Sequence, residues 1–298
     1  MKNAFRCGYV AIIGRPNVGK STLLNRFIGQ KISIITRKPQ TTRHRILGIK
    51  TTADYQIVYL DTPGLHQQES HHALNRYMNK AAFSVIHDAN VILFVVDGLK
   101  WLPDDEWILK KLQNVKVPVV LAVNKIDKIA DKKLLLPHLE TLSQKYPFAT
   151  IVPLSAKNPE DVEHLEQLMV KDLPENAAYF PEDQITDRSE RFLAAEMVRE
   201  KLMRNLGQEL PYQLTVDIEQ FKENQGLLRI SAIIYVEKAS QKSIVIGEDG
   251  ERLKKVGTEA RLEMEQCFQH KVFLQLWVKV KRGWADDERG LQQLGYGT

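Results

Sequence analysis

The sequence predicts an α/β protein in two parts: a mostly parallel, doubly wound sheet over residues 1–175, then a smaller α+β unit over 187–298, joined by a linker at 176–186. Three observations predict it. Short apolar runs rich in β-formers, at 8–13, 91–96 and 117–123, alternate with stretches whose apolar residues recur at helical spacing. That alternation implies right-handed crossovers and a parallel sheet. The stretch 173–183 then breaks the pattern with two prolines and three acidic residues. After it the order becomes helix, strand, strand, helix, helix, strand.

Bulk properties narrow the class. The chain has 298 residues, 43% hydrophobic and 27% charged, which is ordinary for a globular protein with room for two cores. No run of about 18 apolar residues occurs, so no spanning helix is predicted. Residues 1–6 lack an apolar h-region, so a cytoplasmic protein without a secretory signal is expected. Cys7 and Cys267 are far apart and lack metal-ligand spacing, so they read as reduced structural thiols. Net charge is +5, a mild pointer to an anionic partner. Residues 1–180 hold 24 basic and 17 acidic side chains, whereas 181–298 hold 18 and 20. A nucleic-acid contact in the second part must therefore use a local patch. No feature points to self-association, and a monomer is expected.

The first strand, 8–13, runs into Gly14-Arg-Pro-Asn-Val-Gly-Lys-Ser21, and a helix over 21–29 follows. This is G-x-x-x-x-G-K-S in the strand–loop–helix context that a phosphate-cradling loop needs. Glycines turn backbone N–H groups toward one point, and the helix N-terminus adds partial positive charge there. Gly14, Arg15, Pro16, Asn17, Val18, Gly19, Lys20, Ser21 and Thr22 are the candidate contacts. Lys20 reaches β- and γ-phosphates in such a loop, and the Ser21 hydroxyl ligates Mg²⁺.

Residues 36–45 are polar, basic and aperiodic, so they form a loop. Thr41 or Thr42 there can place a hydroxyl on Mg²⁺ when a γ-phosphate is present. Strands at 46–49 and 55–60 form a hairpin through 51–54, and the second ends in Asp61-Thr62-Pro63-Gly64. A carboxylate at that strand end can hold Mg²⁺ directly or through water, and the Gly64 N–H can meet the γ-phosphate. Residues 65–72 read as a mobile polar loop. His66, His71 and His72 lie there without the Cys or carboxylate partners of a metal site. Helices near 73–87 and 104–113 bracket the strand 91–96.

The strand 117–123 ends in Asn124-Lys125-Ile-Asp127. A carboxylate at Asp127 can accept from guanine N1–H and N2–H₂ together, donors that adenine lacks. Asn124 ties the base loop to the phosphate loop, and the Lys125 stem covers the base. A helix at 131–145 and a strand at 150–153 lead to Ser155-Ala156-Lys157, where the Ala156 N–H can reach guanine O6. A helix at 158–173 closes the unit. All these motifs fall at carboxyl ends of strands, where ligands bind in open α/β sheets. The predicted ligand is a guanine nucleotide, GTP or GDP.

In the second part, 189–205 reads as an amphipathic helix with Phe192, Ala195, Val198, Leu202 and Leu206 along one stripe. Strands at 213–220 and 227–236 follow. An apolar helix then ends in Gly247-Glu248-Asp249-Gly250, a second helix runs to about 268, and a strand at 272–280 closes the unit. This order resembles a KH domain of the type II topology. The glycines let a nucleic-acid backbone come close, and such a groove clamps about four nucleotides. Ile244 and Ile246 are candidate base contacts. Glu248 and Asp249 oppose phosphate and are expected to point outward, offset by Lys242, Arg252, Lys254 and Lys255. The stretch from Trp284 reads as a short terminal helix.

The set GRPNVGKS, QTTRH, DTPG, NKID and SAK resembles the translation-factor-type P-loop GTPases, and the Era family among them. The pairing with a type II KH domain extends that resemblance over nearly the whole chain. It implies Ser21 and Thr42 as Mg²⁺ ligands and Asp61 as a ligand through water, with Lys20, Thr42 and Gly64 in the catalytic positions. Asn17 matches a position that holds K⁺ in similar GTPases; a loop-shaping role is the alternative. One departure stands out: Leu65 occupies the place of the water-positioning Gln of Ras-like proteins. Slow intrinsic hydrolysis is therefore expected, aided by a partner, a monovalent cation or backbone groups. The resemblance also implies a ribosome biogenesis factor that binds 16S rRNA near its 3′ end, assists the 30S subunit and in some members touches the membrane peripherally. Two other readings stay open: an RNA-binding module acting on another RNA, and a GTPase whose C-terminal part binds protein or a membrane surface.

Overall fold

The computed structural model describes residues 4–65, 73–207 and 210–284. Two compact units result. The first holds the chain up to Ser33, resumes at Thr42, and runs again from Met78 to Asp187. The second holds Ile34–Thr41, the stretch ending at Tyr77, and the chain from Arg188.

In the first unit a six-stranded sheet is built from β1 (Arg6–Ile13), β2 (Ile46–Thr51), β3 (Tyr55–Asp61), β4 (Val91–Asp97), β5 (Val119–Asn124) and β6 (Thr150–Pro153). Their order is β2-β3-β1-β4-β5-β6, with β2 antiparallel and every other pairing parallel. Strands β3 and β5 are buried at every residue; β5 reads as an apolar run up to Asn124, whereas β3 also buries Gln56 and Asp61. The helices are α1 (Lys20–Ile28), α2 (Ala73–Asp88), α3 (Pro103–Leu112), α4 (Leu135–Ser143) and α5 (Pro159–Lys171). Ala82, Val85 and Ile86 of α2 join Phe94, Val96 and Ile108 in the main core. The expected helix over 131–145 is shorter: a 3₁₀ turn at Lys132–Leu134 precedes α4.

Residues 176–186, read as a linker, lie along the first unit's sheet. Gln56 Oε1 accepts from the Tyr179 and Phe180 N–H groups at 2.7 and 3.0 Å, and Ile49 N–H donates to Ile185 O at 2.8 Å. Tyr179 also stacks on Tyr9. These contacts use β2 and β3 backbone and a buried Gln, which no local pattern in 173–183 encodes.

The second unit comprises α6 (Glu190–Asn205), β7 (Leu214–Asn224), β8 (Leu227–Val236), α7 (Ala239–Ile246), α8 (Glu251–Phe268) and β9 (Lys271–Val280). Its sheet runs β7-β8-β9, antiparallel then parallel, with a bulge at Ile218/Gln220. The core joins α6, α8 and the inward residues of the sheet, including Met197, Leu202, Ile230, Ile234, Met264 and Val278. The single stripe expected on α6 is incomplete. Phe192 and Ala195 are only half-buried, while Glu196, Arg199, Glu200 and Lys201 are buried as well. Those charges are paired with each other and with the Ile34–Thr41 segment, so α6 is covered on two sides. The terminal helix expected beyond Trp284, and the loop with His66, His71 and His72, lie outside the described residues. Trp284 itself is buried against Ala73 and Leu74.

Candidate functional site

The loop between β1 and α1 folds as its glycines require. Gly19 adopts φ 110° at the N-cap of α1, where a β-carbon would sit 2.2 Å from Asn124 Nδ2. Lys20 is buried, and its Nζ donates to the carbonyls of Gly14 and Arg15 at 2.9 and 3.0 Å. Burial pulls its pKa down to about 8, against the opposing charge of Asp61.

Three hydroxyls and a carboxylate converge at the next residue, Ser21. Ser21 Oγ donates to Asp61 Oδ2 at 2.8 Å and lies 2.8 Å from Thr42 Oγ1. Ser33 Oγ donates to the same Oδ2 at 3.0 Å. Burial raises the Asp61 pKa, countered first by Lys20. Asp61 Oδ1 is buried and has no hydrogen-bond partner. An unsatisfied buried carboxylate oxygen beside two hydroxyls suits a hard divalent cation that prefers oxygen ligands. Among the two adjacent threonines, Thr42 meets this cluster. Thr41 Oγ1 instead bonds Thr36 Oγ1 and Lys38 O in the second unit.

The third motif closes over the loop by backbone. Leu65 N–H donates to Gly14 O at 3.2 Å, and a β-carbon on Gly64 would lie 2.6–2.7 Å from Pro16. Only a glycine permits that approach. Leu65 is fully buried within the main core.

The base side is also assembled. Asn124 Nδ2 donates to Val18 O at 2.8 Å, and Asn124 Oδ1 accepts from Lys125 N–H and Ala156 N–H at 2.7 and 2.9 Å. Lys125 Nζ reaches Asn17 O and pairs with Asp97 at 2.8 Å. Asp127 accepts from Ser155 Oγ at 2.9 Å and from Lys157 Nζ at 3.0 Å. The hydrogen bond from the Lys157 ammonium, with that from Ser155, holds the Asp127 carboxyl below the usual carboxylate range.

Three predicted contacts have other work for their polar groups. Arg15 Nε donates to both Asp105 oxygens at 3.1 and 2.9 Å, so its guanidinium is held by α3. Thr62 Oγ1 donates to Ile12 O at 2.9 Å and stitches β3 to β1. The Ala156 N–H must be shared between Asn124 Oδ1 and any guanine O6. Asn17 is exposed with φ 63°, and Thr22 and Pro63 flank the site in the first turn of α1 and in the buried Asp61–Gly64 segment.

In the second unit Gly247, Asp249 and Gly250 take φ 78°, 46° and 77°, forming a tight link between α7 and α8. Glu248 and Asp249 are exposed, as are Lys242, Lys254 and Lys255. Ile244 is 47% exposed, whereas Ile246 packs against the core. Arg252 Nη1 donates to Ile244 O, so this cation ties α8 back to α7. A groove of about 410 Å³ begins at Gly250 and Lys254 and continues past Gly257, Thr258 and Arg261 to Leu274 and Leu276. The last five were missed from sequence. Gly257 was the available signal: a glycine inside a helix costs about 1 kcal/mol relative to alanine and asks for a reason.

Comparison with known proteins agrees with this geometry. Residues 9–125 match the family described as 50S ribosome-binding GTPase, and residues 209–285 match the KH domain family. GTPase Era of Marinobacter nauticus is 60% identical over 97% of this chain and 95% of its own. GTPase Era of Pseudomonas fluorescens Pf0-1 is 57% identical over 99% and 98%. Two solved structures align over 99% of this chain and all of their own at 40% identity. A variant of Aquifex aeolicus Era bound to GDP and AlF₄⁻ has a TM-score of 0.95. Era with MgGDPNP and nucleotides 1506–1542 of 16S ribosomal RNA has one of 0.94. With a GTPase domain and a KH domain matched on one chain, and curated relatives 57–60% identical over 95% or more of both chains, the protein belongs to the Era family of GTPases.

Proposed function

We propose that this GTPase acts in assembly of the small ribosomal subunit, binding 16S rRNA near its 3′ end through the Gly247–Gly250 groove and releasing it on GTP hydrolysis. The observation that carries the nucleotide half is the convergence of Ser21, Thr42 and the unpartnered Asp61 Oδ1 beside Lys20. The RNA half rests on the groove and on the relative solved with a 16S fragment.

Lys20 exchanges its two carbonyl partners for β- and γ-phosphate oxygens, and the Gly64 N–H faces the γ-phosphate. Mg²⁺, held by Ser21, Thr42 and Asp61 through water, neutralises charge on the phosphates. Asp127 selects guanine, Asn124 fixes the two loops together, and Lys125 covers the base. Leu65 cannot orient water, so turnover without a partner is slow. Asn17 is placed to supply a K⁺ ligand, and equal rates in K⁺ and Na⁺ buffers would reject that role.

Thr42 also supplies the coupling. Ser33 and Thr42 bond Asp61 and Ser21, while the residues between them bond within the C-terminal unit. Ile35 N–H donates to Glu200 Oε1 at 3.1 Å, Arg204 donates to Ile35 O at 2.9 Å, and Arg199 donates to Thr41 O. Drawing Thr42 onto a γ-phosphate therefore changes what α6 holds. RNA affinity measured with a GTP analogue, with GDP and without nucleotide tests this; equal values in all three states overturn the coupling. Lys20→Ala should abolish Mg²⁺-dependent turnover, and cross-linking in cells should recover the 16S 3′ region. No described helix is long and apolar enough to cross a membrane. A peripheral membrane contact would appear in flotation with anionic vesicles.

A further inference from the structure

The groove uses one face of the three-stranded sheet. Along β9, Leu274 and Leu276 point to the helices and line the groove. By strand alternation Phe273, Gln275, Trp277 and Lys279 point the other way. That second face is open. Phe273 is 44% exposed and Trp277 is 56% exposed, among the largest apolar side chains left in solvent.

The face has an order of its own. In register, Phe273 lies beside Arg229, Trp277 beside the buried Ile233, and Lys279 beside Tyr235. The Arg229 guanidinium sits 5.6 Å from the centre of the Phe273 ring, and Lys281 Nζ sits 5.6 Å from that of Tyr235. Lys222 extends the row on β7, paired with Arg229. Residues 271–283 carry four basic side chains and no acidic one. Asp217 and Glu219 on β7 oppose this charge in part. Glu219 meets Lys279 only at 4.0 Å, with both side chains more than half exposed, a pairing worth little in water.

Exposed rings on a pleated surface with cations beside them form a stacking platform for bases, and the cations meet the phosphates between them. We propose that the outer face of this sheet, centred on Phe273 and Trp277, is a second binding surface for single-stranded RNA. It lies on the side of the sheet away from the Gly247–Gly250 groove. The inference rests on the RNA-binding reading of the C-terminal unit. Charge decides the occupant: an edge strand whose outward side chains are aromatic, an amide and, where charged, basic complements a polyanion. A copy of the same patch would bring like charges together.

The test uses the full chain and labelled random-sequence RNAs of 4, 8 and 12 nucleotides, read by fluorescence anisotropy. One groove holds about four nucleotides. The 12-mer should therefore bind more tightly than the 4-mer. Phe273→Ala and Trp277→Ala should each weaken the 12-mer by about 5-fold or more, the lower end for one stacked base, and leave the 4-mer unchanged. Both rings are solvent-exposed, so folding should hold, and unchanged circular dichroism melts confirm it. Gly250→Asp should do the reverse, removing 4-mer binding and keeping the gain with length. The proposal fails if the 12-mer gains nothing over the 4-mer, or if the ring variants leave the gain intact. It also fails if Trp277→Ala converts a sedimenting dimer to a monomer without changing RNA affinity. If no RNA of any length binds, the RNA reading of the whole unit falls with it.

Discussion

Arg15 and Asp105 lie ninety residues apart in the sequence, and nothing local announces that they meet. Asp105 is fully buried at the start of α3, where it also accepts from the Leu102 N–H. Burial raises its pKa while Arg15 and that N–H oppose the rise. Because Lys20 Nζ donates to the Arg15 carbonyl, this pair fixes part of the cradle in which Lys20 waits. Asp105→Ala leaves a guanidinium buried and unpaired, a change worth roughly 3–5 kcal/mol. Urea unfolding should show a loss of that size, with a smaller one for Asp105→Asn. Lys20 adds a pH signature. Its folded pKa of about 8 lies below the ordinary 10.5, so the nucleotide-free protein gains stability from this group as pH rises between those values. Nucleotide binding runs the other way, because phosphate needs the charged amine. GTP affinity should fall as pH climbs through about 8, and a flat profile from pH 7 to 9.5 would contradict the assignment. What was legible at this scale was each residue that matched a motif: Lys20, Ser21 and Asp61 come together beside the first loop, and Asn124 joins that loop to the one that carries Asp127. What was hidden was their long-range partners, since Arg15, Thr62 and Ala156 present the same letters whether or not a distant group claims them.

Elements were legible where periodicity was strong. The strands β1, β3, β4 and β5 follow from their apolar runs, and the G-x-x-G link follows from its glycines. The two-sided burial of α6 was not, because Glu196, Arg199 and Glu200 carry the polar signature of a solvated face. Glu200 is fully buried and bonds Ile35 N–H and Arg204. Helix α8 offers a cleaner test of how an element serves a groove. A β-carbon on Gly257 would meet Leu276 at 3.4 Å, ordinary contact, with no unusual backbone angle to strain. Gly257→Ala should therefore stabilise α8 by up to about 1 kcal/mol while weakening RNA binding, because the added methyl occupies groove space. A rise in melting temperature without loss of RNA affinity would show that the glycine serves something else. The two loop glycines differ in the same way. Both take a positive φ, 78° and 77°, that strains any side chain, but a β-carbon at Gly247 also collides with Arg252 at 2.8 Å while Gly250 has open space around it, so Gly250→Asp costs the fold less and its melting curve is measured beside its RNA affinity.

At the scale of the whole molecule, charge is distributed rather than summed. The first acidic residue in the sequence is Asp54, so every motif before it faces phosphate without a competing carboxylate nearby in sequence. From Arg188 onward the chain is nearly neutral, with 18 basic and 17 acidic side chains, so an anionic partner has to meet local patches such as the groove and the end of β9. Contact with about four phosphates predicts a log–log salt slope near −3 for single-stranded RNA, and a slope near zero would remove the electrostatic part of the binding argument. The break at 173–183 was legible as a loss of the α/β pattern, but it lies within the first unit, which runs on to Asp187. The membership of 34–41 in the second unit was not legible, because a basic loop carries no mark of the helix it bonds.

Leu65 has a consequence for how this protein can change. Its side chain is part of the main core, fully out of solvent. Installing the missing Gln there would bury an amide in place of a packed leucine, at a cost of roughly 2–5 kcal/mol, a large share of a typical domain's stability. A one-step path to a self-sufficient, fast enzyme is closed by folding. Under the slow turnover proposed above, adaptation of its timing runs through a partner, a monovalent cation or backbone groups rather than through a Gln at this position.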